Sequence, residues 1–350
     1  MRSIDGTEPT ATFPHSAEWP TRAVIAVLTY QRTDGLDDTV RALLTARDGH
    51  PGASVLVVDN NPGADARPIV LQIAAGLPSG LLRYVHEPRP GIAAARNRAI
   101  DESSAADVLI FVDDDERPTA DWLEHLLRLY RRRRPAAIAG PVVSEFPRRP
   151  EPWILDGGFF TRRRLPTGTP LDCAATNNLL IDVAQLRALG IRFDDGFGLT
   201  GGSDTLFTRQ IVSRGGVILW CDDAIVADRV PPARLTRQWV LQKAFRQGNV
   251  TPRIRLALAG GHLGRARARM AGIAGGAARL AAGGAKLLAG AVTSNRGRRA
   301  RGARLAVRGA GMFLGSCGYA YAEYARRSGG VRHRTASERA RRHAAKAGRT

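Results

Sequence analysis

Lysine is scarce: three stand in a chain of 350 residues that carries 52 lysines and arginines together. An arginine-rich composition can inflate positive charge without any anionic partner, so where the charge sits matters more than its total. Cysteine is equally sparse. Cys173, Cys221 and Cys317 are far apart with no CxxC pair, which argues against a disulfide framework and a thiolate metal site and for reduced thiols. No uncharged run reaches the ~20 residues of a transmembrane helix; the longest apolar stretch near the end, residues 309–322, is short and glycine-rich. Residues 1–20 hold Asp5, Glu8 and Glu18 and no apolar h-region, so no signal or transit peptide is read there and a cytoplasmic protein is expected. Acids are missing from the end of the chain. Residues 1–250 balance 30 basic against 30 acidic side chains, whereas the last hundred hold 22 basic residues and only Glu323 and Glu338. The whole net charge of +20 belongs to that last segment. A neutral body with a basic end points to a folded domain plus a segment that meets an anionic surface, lipid or nucleic acid.

The body is patterned as α/β. Residues 23–28 (AVIAVL), 54–58 (SVLVV), 81–86 and 108–112 (VLIFV) are apolar runs of strand length. Between them lie helical spacings: Leu36, Val40, Leu43 and Leu44; residues 69–75; and the alanine-rich residues 92–100 behind Gly91. Continuous apolar strands alternating with helices predict a mostly parallel sheet flanked by helices, with a site beyond the carboxyl ends of the strands. Farther on, residues 136–143 read as a strand interrupted by Gly140-Pro141. Residues 146–170 form a Pro/Arg/Gly-rich loop of the length that serves as a lid or binding loop.

Three strand ends carry polar residues: Thr29-Tyr30-Gln31-Arg32, Asp59-Asn60-Asn61, and Asp113-Asp114-Asp115-Glu116. Four adjacent acids at one sheet edge repel one another unless a cation neutralises them. Carboxylate oxygens with substrate phosphates suit Mg²⁺ or Mn²⁺. The plain alternative is a solvated turn whose acids cap the next helix. A second candidate lies at Gly201-Gly202-Ser203-Asp204, which opens a helix with Ser203 as its N-cap; an acid in a first helical turn is held ionised by the helix dipole, as a general base must be. By itself that acid reads more readily as one that only steadies its helix.

In order, the segments VIAVLTYQR (24–32), VVDN (57–60), EPxxGIAxARN (87–97), FVDDDExP (111–118), TNN (176–178) and TGGxD (200–204) resemble the inverting family-two glycosyltransferases of the GT-A fold, and among them the bacterial exopolysaccharide enzymes of succinoglycan type. The resemblance covers about residues 22–250. It implies that Thr29, Tyr30, Arg32 and Asp59 line the base and ribose pocket of a nucleotide-sugar donor, with Arg96 close to the nucleotide or its phosphates. It implies a DxD element in which Asp113 and Asp114 face the ribose and Asp115 holds the divalent ion on the diphosphate. Asp204 matches the catalytic base. Asn177, Asn178, Trp220 and Arg246 match sugar- or acceptor-site positions, and Asp228 that of a further polar ligand. Close relatives place Glu before that catalytic Asp; Ser203 stands here, which bears on acceptor choice.

The implied reaction is a single displacement: Asp204 takes the proton of an acceptor hydroxyl, the divalent ion carries charge on the leaving diphosphate, and configuration inverts. No covalent sugar on a carboxylate is needed. The acceptor is expected to be a saccharide or a lipid-linked saccharide in cell-surface or exopolysaccharide biosynthesis. The expected organisation is a GT-A catalytic domain over 21–250, a basic amphipathic helical extension over 251–327 and a disordered basic tail over 328–350. Basic helices with apolar faces lie in the plane of anionic bilayers, so the extension is read as a peripheral anchor on the inner face of the cell membrane. Two rivals stay open. A nucleotidyltransferase of similar fold would want a lysine-bearing phosphate loop after the first strand, and Thr29 to Gly35 has none. A non-enzymatic nucleic-acid binder would use the basic end against phosphates, but the neutral body offers no basic, aromatic-studded sheet.

Overall fold

The computed structural model describes residues 22–33 and 35–321; the expectations for Met1 to Pro20 and for 328–350 lie outside them. The first half runs β1 (Ala23–Thr29), α1 (Leu36–Ala46), β2 (Ala53–Asp59), α2 (Arg67–Ala74), β3 (Leu82–His86), α3 (Ile92–Glu102) and β4 (Val108–Asp113). β1 pairs in parallel with β2 and β4, and β2 with β3. The apolar runs are continuous because both faces of each strand are covered. Ile25 and Val27 pack with Leu36, Val40 and Val70 of α1 and α2, while Val24 and Ala26 pack with Ala93, Ala95 and Ala99 of α3.

The second half adds β5 (Glu116–Pro118), α4 (Trp122–Arg133), β6 (Ala137–Ala139), β7 (Val142–Glu145), α5 (Pro152–Asp156), β8 (Asn178–Asp182), α6 (Val183–Leu189), α7 (Ser203–Ser213), β9 (Ile218–Trp220), β10 (Val226–Arg229), α8 (Arg237–Leu258), α9 (Gly261–Val292) and α10 (Arg296–Ser316). The main sheet has the order β3-β2-β1-β4-β8-β6-β9, with β8 antiparallel to both neighbours. The chain order reverses between β1 and β4, where such sheets open a crevice at the strand ends. A small sheet, β5-β10-β7, stands over that edge.

Two local readings change in three dimensions. The strand read across 136–143 is two strands in two different sheets, because the chain turns at Gly140. A side chain there would collide with Ala224 O and the Asn178 amide. The segment 146–170 contains the short helix α5, whose Trp153 and Ile154 pack with Val240 of α8 and Ala300 of α10.

Residue 250, the expected end of the catalytic domain, falls inside α8, so the expected domain and the C-terminal helices share one continuous helix. Asn249, fully buried, donates to Tyr319 O at 2.8 Å and accepts from Tyr321 N at 3.0 Å, fastening the end of the chain beyond α10. In α9 the buried glycines 276, 283 and 290 recur every seven residues; in α10 so do Gly302, Gly309 and Ser316. The two helices therefore meet backbone to backbone: a Cβ on Gly276 would lie 2.6 Å from Phe313 N, and one on Gly309 2.6 Å from Leu280 N. The abundant glycine, unfavourable to an isolated helix, is what lets this pair pack.

Candidate active site

A cleft of about 580 Å³ opens beyond the strand ends. Thr29, Tyr30 and Arg32 follow β1, Asn60 follows β2, Gly91 and Arg96 begin α3, and Asp113, Asp114, Asp115 and Glu116 end β4; all line it. Across from them stand Asn177, Asp204, Asp228 and Arg246. Eleven of the residues expected from the sequence thus share one cavity.

The acid run is split by its own turn. Glu116 points inward, accepting from Asp113 N at 3.2 Å and from the Asn177 amide at 2.8 Å. Burial, and then Asp113, raise its pKa well above the usual carboxylate value. Asp113 faces the cleft with protein on its other sides; that desolvation, and then Asp115 and Asp114, push its carboxyl up to about 7 against the attraction of Arg96. Two arginines meet the rest of the repulsion. Arg32 Nη1 bridges Asp114 at 3.0 Å and Asp115 at 2.8 Å, and Arg234 Nη1 reaches Asp115 at 3.2 Å. Burial disfavours the Arg32 guanidinium, but Asp114 and Asp115 outweigh it, so its pKa lies above normal.

Among the described residues no three acid, histidine or cysteine side chains converge into a self-sufficient metal cage. The donor set still fits a hard divalent ion of the kind that takes one or two carboxylates and completes its shell with phosphate oxygens and water. Asp113, the most exposed acid of the run, and Asp115, 21% exposed at its side chain, are the carboxylates open to such an ion's approach.

The opposite wall is built from α7 and α8. Gly202, with φ of +85°, is the residue that starts α7, and a Cβ there would run into Val250 of α8. Ser203 is therefore not the N-cap. Its hydroxyl, 1% exposed, accepts from Arg96 Nη1 at 2.5 Å. Asp204 Oδ1 accepts from Thr205 N at 2.7 Å, and the described residues give Oδ2 no hydrogen-bond partner. A carboxylate held by one oxygen at a helix N-terminus, with the other turned to a cleft, can accept a proton.

Four expected residues are not among the cleft's lining. Asp59, 1% exposed, accepts from Asn61 N at 2.9 Å, Ala66 N at 3.0 Å and the Tyr84 hydroxyl at 3.1 Å, so it shapes the turn into α2 while Asn60 meets the cleft. Asn178 is buried, receiving the Trp122 indole N–H at 2.9 Å and donating to Pro141 O and Ala224 O. Trp220 packs in the core with its indole on Asp222. Ser203 is taken up by Arg96. Asp59, Asn178 and Ser203 each adjoin a residue that does line the cavity, Asn60, Asn177 and Asp204, because a strand or turn sends adjacent side chains to opposite sides; Trp220 has no such neighbour in the lining.

The cleft also gathers residues that sequence patterning did not single out. Arg162, from the long loop, binds Asp228 at 2.7 Å. Arg234 precedes α8. Lys243 sits beside the parallel rings of Trp239 and Phe160, 5.1 and 5.7 Å from their centroids. Burial, then Arg162, lower its pKa to about 8. The sequence signal for it was its place in the segment 239–249, which resembles family positions around Arg246.

Comparison with known proteins decides the family. Residues 24–184 match Glycosyl transferase family 2. The chain is 32% identical over 231 residues to the succinoglycan biosynthesis protein ExoM of Rhizobium meliloti (strain 1021), covering 66% of this chain and 74% of that one. The chain belongs to glycosyltransferase family 2. In shape it is similar to the mannosyltransferase PcManGT from Pyrobaculum calidifontis, solved in complex with GDP-Man and Mn²⁺: TM-score 0.57 at 18% identity, over 86% of this chain and 90% of that one. That likeness establishes the fold, GT-A with its helices on both sheet faces. Family membership sets both rival readings, nucleotidyl transfer and simple nucleic-acid binding, behind glycosyl transfer.

Proposed function

We propose that this glycosyltransferase moves a hexosyl group from a nucleotide-sugar to a hydroxyl of a saccharide or lipid-linked saccharide, with inversion, in cell-surface or exopolysaccharide biosynthesis. The observation that carries this reading is that Asp204 and the Asp113–Asp115 turn line one cleft, from α7 and from β4 respectively. The acceptor oxygen forms its bond to the anomeric carbon as the bond to the diphosphate oxygen breaks, and the acceptor proton passes to Asp204 Oδ2. Thr29, Tyr30 and Arg32, with Asn60, hold the nucleoside; Arg96 takes phosphate. Asp115 is the ligand of a divalent ion, Mn²⁺ or Mg²⁺, which when bound would neutralise charge on the departing diphosphate. Arg32 and Arg234, which pair with Asp115, would stand beside the same diphosphate as further cations. Residues 21–250 carry the reaction. Residues 251–327 hold the enzyme at the inner face of the cell membrane.

The test is turnover of a nucleotide-sugar panel with Mn²⁺, read as release of nucleoside diphosphate, followed by proton NMR of the product. An anomeric coupling opposite to the donor's supports the reading; a retained configuration overturns the role of Asp204.

A further inference from the structure

No helix among the described residues is long and apolar enough to cross a membrane. In α10 Met312 is 4% exposed, beneath Gly275 and Arg279 of α9, while Phe313 and Leu314 are about two-fifths exposed. The most exposed apolar residues of the helical extension lie on the far side of α9. Leu263, Met270, Leu288 and Val292 are 65, 63, 67 and 86% exposed. At 3.6 residues per turn they fall on one line with Ala274, Ala277 and Ala281, directly opposite the glycines that pack on α10. α9 packs on α10 and α8, so this line is the outer surface of the outermost layer. It runs about 44 Å at 1.5 Å per residue. From Met270 to Val292 it carries no charge: Arg279 and Lys286 project from the opposite half of the helix, Arg279 turned back to Gly275 O and Met312 Sδ, while Arg267 flanks the line near its start.

Charge says what covers this face. Residues 251–321 hold 13 basic side chains and no acid. Among the described residues only one of the thirteen, Arg296, makes an ion pair, with Asp156. A second copy of the chain would bring the same uncompensated cations face to face. A bilayer of anionic lipid supplies both hydrocarbon for the line and counter-charge for its flanks. We propose that the outer face of α9, from Leu263 to Val292, is a membrane-docking surface that lies in the interface of an anionic bilayer. The proposal deepens the peripheral placement given above and rests on that reading for its biological sense, though vesicle binding itself does not depend on turnover.

The experiment uses the full chain and vesicles of phosphatidylglycerol mixed with phosphatidylcholine. Combined Leu263→Ser, Met270→Ser, Leu288→Ser and Val292→Ser is expected to weaken vesicle partitioning at least tenfold while retention on heparin and on duplex DNA, and the melting temperature, stay unchanged. Leu71→Ser with Val217→Ser, which removes half-exposed apolar residues from the catalytic body, is expected to change nothing. Unaltered vesicle binding in the fourfold variant overturns the proposal, as does an equal loss on DNA. So does a dimer that the fourfold variant converts to monomer without vesicle binding in either. Donor hydrolysis measured on the same samples separates the two readings: its absence with vesicle binding intact counts against glycosyl transfer alone.

Discussion

Arg96 donates to the Ser203 hydroxyl at 2.5 Å, tying the first turn of α3 to the residue before Asp204. The Arg96 guanidinium also lies 5.3 Å from the Phe193 ring centroid, and Phe193 is held by Asn97 through paired 2.9 Å hydrogen bonds. Ser203 is thus a positioning residue. Ser203→Ala should cost about 1 kcal/mol of stability and weaken nucleoside diphosphate binding several-fold, read by calorimetry, with the acceptor KM little changed. A change confined to the acceptor KM would return Ser203 to the acceptor site.

Asp204→Asn separates a base from a helix-steadying acid. A role limited to the helix dipole costs roughly 0.3–1 kcal/mol of stability and little activity. As the base, its loss should lower kcat by at least about a hundredfold with donor affinity retained. Near-native turnover in this variant refutes the assignment.

Asp115→Ala should abolish Mn²⁺ binding measured by electron paramagnetic resonance with a nucleoside diphosphate present, while the melting temperature moves little. Arg234→Ala is expected to act in the opposite direction on Mn²⁺ alone, tightening it, because a competing cation 3.2 Å from Asp115 is removed. Unchanged Mn²⁺ binding in Asp115→Ala would falsify its place as the ligand.

Lys243 has its pKa lowered to about 8 by burial and by Arg162. A depressed folded-state value means that its contribution to stability is fully present above about 10.5 and is lost as pH falls through about 8. An anionic diphosphate reverses the balance by favouring the ammonium. Nucleoside diphosphate affinity should therefore fall as pH rises from 7 to 9, with proton uptake on binding at the upper end, and Lys243→Met should flatten the profile. A pH profile identical in the two proteins excludes Lys243 from the anion site.

Gly283→Leu should part the C-terminal hairpin, because even a Cβ at this position would enter Ala306 of α10. Overpacking of this kind costs about 1–3 kcal/mol or more. Gly284→Ala, with open space around it, should instead stabilise by up to about 1 kcal/mol through helix propensity. Thermal melts of both variants decide the comparison.

The β1-to-β4 half and its motif-bearing strand ends could be read from the chain itself, since a strand covered on both faces must be apolar without interruption and its polar residues must begin where it emerges. For the same reason Thr29, Arg32 and Asp113 to Asp115 were legible as residues of the cleft, whereas Asp204, at a helix start, was legible through its motif. What local pattern could not carry is direction. Asp59 and Asn178 sit beside cleft residues yet turn into the protein, because the Ala66 amide and the Trp122 indole claim their polar atoms. Arg162 and Arg234 reach the acids of β4 and β10 from loops tens of residues away, and no periodicity marks a side chain chosen by a remote opposite charge. The outer face of α9 was likewise hidden. Its glycines read as weakness until α10 showed that they are the contact, and only that contact turns Leu263, Met270, Leu288 and Val292 outward.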